Sequence, residues 1–197
     1  MDITRYNVKI KFITGPLGTQ PQKDVATEYI TSKALDPVTG ELPADELETL
    51  PDALEKGTTA FHKIDGAPIF YDYQIKGFLK DAGQTFNGLR GVKNLRSKID
   101  NLVFVEPRQI RLTLPEGGKI EVCERPLRAQ TAQGPRTALA RSEMLPDGTT
   151  FEFVIAVYDG PISEPLLRDL LSYGERKGFG QWRNGGRGRF TFEMEKE

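Results

Sequence analysis

The order of its hydrophobic patterns limits the folds open to this chain more than any other feature. Residues 2–14 alternate apolar and polar side chains, which is typical of a strand with one buried face. Residues 73–86 and 163–178 instead repeat apolar side chains at helical spacing. Segments rich in β-branched and aromatic residues, the composition of strands, are 102–114, 119–127 and 149–159. Residues 188–197 alternate as a final strand, with Phe190 and Phe192 on one face. The chain therefore reads strand, helix, strands, helix, strand.

This order predicts an α+β fold, with a ferredoxin-like (RRM-like) antiparallel sheet that carries helices on one face. We expect a single domain over residues 1–197, elaborated by insertions. One is an acidic segment at about 36–58, and another is a protruding hairpin at about 128–148. A short helix at 23–34 and a polar, basic loop at 87–98 complete the expected organisation.

The overall composition indicates an ordinary globular protein. Hydrophobic residues make up 38% of the 197 residues, and no apolar run approaches the roughly 20 residues that span a bilayer. The N-terminal segment lacks the basic start and apolar middle of a signal peptide, so we expect a cytoplasmic protein with no membrane partner. The single cysteine, Cys123, lies in a predicted strand and has no internal disulfide partner.

Charge is distributed unevenly although the formal net charge is only −1. Residues 36–55 carry seven acidic and no basic side chains, whereas 168–189 carry six basic and two acidic ones. Residues 76–98 add six basic side chains against one acidic one. Local concentrations of positive charge attract polyanions more than the total charge suggests, although ordinary solvated faces would have the same composition.

The segment GFGQWRNGGRGRF (178–190) carries five glycines, three arginines and the only tryptophan. Glycines permit positive φ and close approach of another chain, and exposed N–H groups in such turns can bind anions. Arginines supply forked donors for phosphate, and Trp182 offers a face on which a base can stack. These are the components of a groove for single-stranded nucleic acid. For Trp182 alone, the alternative is a side chain that fills the core.

The helix predicted at 73–86 carries a second basic feature. Its apolar stripe consists of Ile75, Phe78, Leu79 and Ala82. Lys76 and Lys80 are four residues apart and share another face of the helix. Gly77 lowers helix propensity by about 1 kcal/mol relative to alanine, so its presence suggests close approach of a backbone or a ligand, or tight core packing.

These two stretches resemble elements of a known family. KGFGQWRNGGRGRF (177–190) is similar to the C-terminal glycine-rich loop of the RAMP superfamily, the ferredoxin-like RNA-binding proteins of CRISPR systems. GAPIFYDYQIKGFLKDA (66–82) resembles the backbone subunits of CRISPR effectors, in which a proline-containing strand end leads into a helix with a Lys-Gly pair. Lys76-Gly77 matches that pair, whereas Tyr73-Gln74 replaces the usual small, serine-like residues. The whole chain also resembles uncharacterised phage and prophage proteins.

The resemblance implies single-stranded RNA (or DNA) lying across the sheet face, without a cofactor. It implies a thumb-like role for the hairpin at 128–148 and association either with further copies along the nucleic acid or with CRISPR effector subunits. The expected nucleic-acid-binding residues are Lys76, Lys80, Arg128, Arg136, Arg141, Lys177, Gly178, Gly180, Trp182, Arg183, Arg187 and Arg189. A phage-encoded protein of this kind could interfere with or imitate a CRISPR complex.

Two other functions compete with non-catalytic binding. The first is RNA processing by an endoribonuclease, with His62 as base and Lys63 or Tyr71 as helper, since imidazole titrates near neutral pH. Asp65 could serve as a carboxylate in metal-dependent cleavage, but Asp-Gly is also an ordinary turn pair. No motif typical of a metal or hydrolase site occurs in the sequence, which favours binding over catalysis. The second alternative is a phage structural or assembly protein that binds no nucleic acid.

Overall fold

A computed structural model describes residues 2–20, 58–131 and 134–197, with the backbone alone at 127–131 and 135–138. The strands are β1 (Ile3–Phe12), β2 (Thr58–Thr59), β3 (His62–Ile64), β4 (Ala67–Tyr71), β5 (Val103–Glu106), β6 (Gln109–Arg111), β7 (Glu121–Thr131), β8 (Gly134–Met144), β9 (Thr150–Tyr158) and β10 (Phe190–Lys196). The helices are α1 (Asp72–Thr85), α2 (Leu95–Leu102), α3 (Glu164–Ser172) and α4 (Gly174–Lys177), with 3₁₀ turns at Leu89–Gly91 and Arg183–Gly185. The helix expected at 23–34 and nearly all of the acidic segment lie outside the described residues.

The largest sheet has four strands in the order β10-β1-β9-β5, and every neighbouring pair is antiparallel. Helices α1 and α2 occur in the connection from β1 to β5, and α3 and α4 occur in the connection from β9 to β10. Register is consistent across the sheet: Val8 on β1 lies opposite Met194 on β10 and Phe153 on β9. The α+β class expected from the sequence is confirmed.

Only one face of this sheet is buried. On β1 the buried side chains alternate, with Tyr6, Val8, Ile10 and Phe12 directed into the core. Helix α1 packs against α2, α3 and β5, and its apolar stripe joins the same core. The opposite face exposes charged residues such as Lys9 on β1 and Glu193 on β10. The two-residue alternation seen in the sequence thus separates the core from an open sheet face.

Two smaller sheets flank the main one. Strands β7 and β8 form a hairpin of two 11-residue strands, and β2 pairs in parallel with β8. Pro126 lies on β7, which is an edge strand within the described residues, as expected for a residue without an N–H. Strands β3, β4 and β6 form the third sheet. The β3–β4 turn has positive φ at Asp65 (51°) and Gly66 (77°), which suits a tight hairpin.

Most segment predictions are confirmed, but two are wrong. The expected loop at 87–98 contains the start of helix α2, which buries Leu95 and Ile99. Those two residues, four apart, give too short a stripe to stand out among polar neighbours. The expected strand at 102–114 divides at Pro107, so that β5 joins the main sheet and β6 joins the sheet of β3 and β4.

Candidate nucleic-acid interface

The glycine-rich loop (178–189) closes on its own backbone. The Phe179 N–H donates to the Gly188 carbonyl over 2.8 Å. Gly188 has φ 72°, and a Cβ there would lie 1.8 Å from the Phe179 carbonyl oxygen. This glycine therefore serves the crossing of the loop's two ends, whereas the sequence analysis assigned the loop glycines to a ligand.

Thr14 attaches the loop to the end of β1. Its hydroxyl donates to the Gly186 carbonyl (2.7 Å) and accepts the Arg189 N–H (3.0 Å). The Ile13 N–H donates to the Arg189 carbonyl over 2.7 Å. The loop backbone is thus held against the end of β1 before any ligand binds.

The three arginines of the loop differ in whether their side chains have a partner within the described residues. Arg183 pairs with Asp81 of helix α1 at 2.7 Å, and Arg189 Nε donates to the Glu175 carbonyl at 2.8 Å. Within the described residues, Arg187 forms no hydrogen bond or ion pair and is half-buried. The side-chain ammonium of Lys177, just before the loop, likewise has no such partner there. Of these four cations, Arg187 and Lys177 are therefore left for an external anion.

Trp182 is exposed, so the alternative that it fills the core is wrong. Its side chain keeps 43% of its surface accessible. The residue adopts φ 52° and ψ 38°, the left-handed region that bulky side chains rarely occupy. The indole lies over Gly185, where a Cβ would come within 2.6 Å of a ring atom. The loop thus exposes an aromatic ring on a residue whose backbone conformation is unfavourable for a tryptophan.

A groove of about 310 Å³ separates helix α1 from the glycine-rich loop. Its lining residues are Thr19, Phe70, Gln74, Gly77, Phe78, Asp81, Phe179, Gly180 and Arg183. Gly77 is exposed there, and a Cβ on it would have no neighbouring atom within 4 Å. Within the described residues, neither core packing nor a protein backbone therefore requires this glycine. The two stretches that carried the family resemblance meet at this groove.

Lys76 and Lys80 lie on another face of α1, where both contact Asp100 of α2. Lys80 Nζ is 2.9 Å from an Asp100 carboxylate oxygen, and Lys76 Nζ donates to the Asp100 carbonyl over 2.7 Å. The Lys80 hydrogen bond lowers the pKa of Asp100 below its ordinary value. Lys76 also lies 4.8 Å from the centre of the Phe104 ring. The structure thus separates both lysines from the groove residues on α1.

The hairpin places the three predicted arginines along β7 and β8. Arg128 is opposite Thr137, and Arg136 is opposite Ala129, but their side chains lie outside the described part. Arg141 forms an ion pair with Glu124 at 2.7 Å. Sequence analysis missed Arg125, which is only 8% exposed and lies 5.2 Å from the centre of the Trp182 ring. In the sequence, Arg125 is one of several charged residues in a predicted strand, and nothing distinguishes it from them. The fold brings it beside the tryptophan.

The candidate residues for RNA cleavage are poorly placed for it. His62 is 2% exposed and packs edge-on against Tyr71, with ring centres 4.7 Å apart. It is therefore not the accessible base that RNA cleavage would need. Asp65 occupies the β3–β4 turn and is 3.2 Å from Arg111. In residues 2–20, 58–131 and 134–197, no three metal-ligating side chains converge.

A larger concavity, of about 390 Å³, lies on the open sheet face. Glu152, Glu193 and Glu195 line it, together with Lys9, which already pairs with Glu152 at 2.9 Å. The carboxylates would repel a phosphate backbone. This face therefore disfavours the RNA path across the sheet that the resemblance implied.

Comparison with known proteins supports the fold only. No family model matches the chain, and no curated protein matches it. A chain in the cryo-EM structure of the Type III-B Cmr-beta bound to cognate target RNA has a similar fold, with a TM-score of 0.53 and 13% sequence identity. The match covers 98% of this chain but only 60% of that chain. A chain of a Type IV-B CRISPR complex matches at a TM-score of 0.48 and 13% identity, over 97% of this chain and 90% of the other.

None of the helices in the described residues combines the length and the apolar character needed to cross a bilayer.

Proposed function

We propose that this protein binds single-stranded RNA without cutting it, as a RAMP-like module similar to the subunits of CRISPR effector complexes. The groove between α1 and the glycine-rich loop is the proposed centre of the RNA path. The Trp182 indole supplies a stacking surface beside it, and Arg187 and Lys177 supply positive charge.

We also propose that the main sheet forms a ferredoxin-like core, and its topology supports this assignment. The strand order β10-β1-β9-β5 corresponds to 4-1-3-2 when strands are numbered within the main sheet, and a helix-containing connection precedes the second and fourth of them. Such a sheet with its helices on one face is the arrangement of many RNA-binding modules. The similar fold of a chain from a complex bound to target RNA agrees with this assignment.

The observation that carries the proposal is Gly77. It lies in the middle of a 14-residue helix, where glycine costs about 1 kcal/mol relative to alanine. It faces the glycine-rich loop across the groove, and open space lies above its Cα. Because Gly77 has no side chain, the helix backbone is accessible at the groove where the two stretches that carried the family resemblance meet. Such a surface allows a ligand backbone to approach closely.

Protein partners follow from the same resemblance. We propose that the protein associates along RNA with further copies of itself or with subunits of a CRISPR effector, and that the β7–β8 hairpin acts as its thumb. In a phage-encoded form, such binding would interfere with or imitate that effector. The hairpin's two long strands give it the reach to contact a neighbouring molecule.

Direct binding tests this function. Purified protein is titrated into fluorescently labelled single-stranded RNA, single-stranded DNA and double-stranded RNA, and anisotropy and gel integrity are both measured. We expect saturable binding to single-stranded RNA that weakens as salt rises, with the RNA intact after incubation. Arg183→Glu with Arg187→Glu should abolish it, whereas Lys9→Glu with Lys11→Glu on the open sheet face should not. Absence of binding at low salt would contradict the proposal, and RNA cleavage would restore the nuclease alternative.

A further inference from the structure

Arg125 is a buried cation whose contacts are all with neutral groups. It is 8% exposed, and its guanidinium donates to Ser142 Oγ (3.3 Å) and Gln181 Oε1 (3.1 Å). Its Nε is fully buried and has no acceptor. Within the described residues, Arg125 forms no ion pair. A buried charge is unfavourable unless an opposite charge compensates it, so this position is suited to an external anion.

The carboxylates nearest to Arg125 on the hairpin are already paired. Glu124, the preceding residue, binds Arg141 at 2.7 Å. Glu143 is 5% exposed and accepts both the Lys63 ammonium and the Phe61 N–H. Because these two acids have their own partners, neither of them compensates the charge of Arg125.

The exposed indole next to Arg125 suggests which class of anion binds. The Arg125 guanidinium lies 5.2 Å from the Trp182 ring centre, and the ring keeps 43% of its surface accessible. Trp182 holds this position in the left-handed backbone region, a strained conformation of the kind that clusters at active sites and ligand clamps. A cation beside an accessible aromatic ring matches a nucleotide, which joins a phosphate to a flat base.

We infer that Arg125 and Trp182 form a nucleotide subsite for single-stranded RNA. A backbone phosphate accepts hydrogen bonds from the Arg125 guanidinium, including its Nε, and the adjoining base stacks on Trp182. Since Nε is buried, the indole must shift for the phosphate to reach it. The subsite connects the glycine-rich loop to the β7–β8 hairpin, so RNA would leave the groove toward the hairpin. This inference rests on the proposed RNA-binding function and adds a residue that sequence analysis did not identify.

The alternative is a structural role, in which Arg125 clamps the hairpin to the loop through Ser142 and Gln181. The two roles predict opposite effects of Arg125→Gln on stability. If Arg125 is a phosphate ligand, its buried charge destabilises the RNA-free protein. The Arg125→Gln substitution then leaves the melting temperature unchanged or raises it. As a clamp, its removal lowers the melting temperature and affects RNA binding only through unfolding.

The test combines anisotropy with intrinsic fluorescence, which reports on Trp182 alone because the chain has one tryptophan. We expect wild-type emission to change on titration with a 12-nucleotide single-stranded RNA, at the same midpoint as the anisotropy. Arg125→Gln should weaken binding about tenfold, as loss of a hydrogen bond to a charged group would. Arg125→Lys should recover part of that loss, and Arg5→Gln, on the open sheet face, should leave binding unchanged.

Three results would overturn the inference. If RNA binds but emission stays constant and Arg125→Gln binds equally well, the subsite is absent while the RNA-binding function stands. If Arg125→Gln lowers the melting temperature and Arg125→Lys restores stability without changing affinity, the residue is a clamp. If wild-type protein binds no RNA at low salt, the subsite and the proposed function are both wrong. The change in wild-type Trp182 emission on RNA binding tests the subsite even if a variant fails to fold.

Discussion

The open sheet face and the surface around the glycine-rich loop differ in how their charged groups are compensated. On the open face Lys9 pairs with Glu152, and Arg5 pairs with Glu106 at 2.6 Å and Glu197 at 3.0 Å. Glu193 and Glu195 form no ion pair within the described residues, but solvent surrounds their exposed side chains. The loop surface instead holds, within the same part of the chain, a buried arginine without an acid, an exposed tryptophan in an unfavourable conformation and a helix glycine facing empty space. The larger concavity lies on the open face. Buried or strained groups therefore indicate a binding surface here better than size does.

The largest expected effect comes from a substitution that disrupts the glycine-rich loop. Gly188→Ala places a Cβ 1.8 Å from the Phe179 carbonyl oxygen at a residue with φ 72°. We expect a loss of at least about 3 kcal/mol in the free energy of unfolding, because the loop ends must separate. Urea denaturation followed by circular dichroism measures it.

Gly186→Ala is the matched control for this change. Gly186 has φ 79°, but a Cβ there meets nothing within 4 Å. It should lose only about 1 kcal/mol, the cost of the backbone conformation. Equal losses at both positions would show that the backbone crossing does not hold the loop.

Removal of the Arg187 guanidinium tests the comparison through the salt dependence of RNA binding. Arg187→Ala should weaken single-stranded RNA binding by about 1.5 kcal/mol and reduce the salt slope by about 0.7, the value for one phosphate on a single strand. Lys9→Ala removes a cation from the open face and should change neither quantity. Anisotropy titrations at several salt concentrations give both slopes, and a larger effect from Lys9→Ala would reverse the assignment of the two faces.

Gly77→Ala should change stability and binding in opposite directions. With open space around the Cβ, the helix gains up to about 1 kcal/mol of stability. A methyl group on the groove wall would obstruct a ligand backbone, so RNA affinity should fall. Gly160→Ala, at an exposed position with ordinary room, is the control. Thermal unfolding and anisotropy measure the two effects, and unchanged RNA affinity would remove the main support for the groove.

The smallest expected effect concerns Asp100, which binds the two lysines of α1. Its pKa is lowered in the folded protein by the Lys80 hydrogen bond, so the stabilisation is present above its unfolded pKa and is lost as the pH falls through the folded value. Asp100→Asn should therefore differ slightly from wild type at neutral pH and converge with it in acid. Denaturation curves at pH 7 and pH 3 check the sign. Tighter RNA binding by the variant would place Lys76 and Lys80 on the RNA path after all.

The sequence indicated the main elements because their hydrophobic periods are long and regular. The alternation in β1 and the leucine stripe of α3 each predicted a buried face, and both faces are buried. Helix α2 escaped prediction because its stripe is two buried residues long. The division of the expected strand 102–114 at Pro107 was not predicted, because whether β5 and β6 join one sheet or two depends on long-range pairing.

The candidate site was only partly predictable for a similar reason. The glycine-rich loop and the Lys-Gly pair are local features, and the fold brings Gly77, Gly180 and Arg183 to one groove. Which cations have internal partners depends on contacts between distant segments, such as Arg183 with Asp81. Arg125 could not be identified from the sequence for the same reason. Its burial, with no acidic partner among the described residues, results from tertiary packing.

Photo-crosslinking tests the central claim most directly, because each surface carries its own exposed aromatic ring. Single-stranded RNA containing 4-thiouridine is bound, irradiated and digested, and the crosslinked peptides are identified by mass spectrometry. The account predicts crosslinks at Trp182 and its loop, and none at Phe104 of the open face, which is 41% exposed against 43% for Trp182. Crosslinks concentrated at Phe104 and Tyr158, with the loop unmodified, would contradict it.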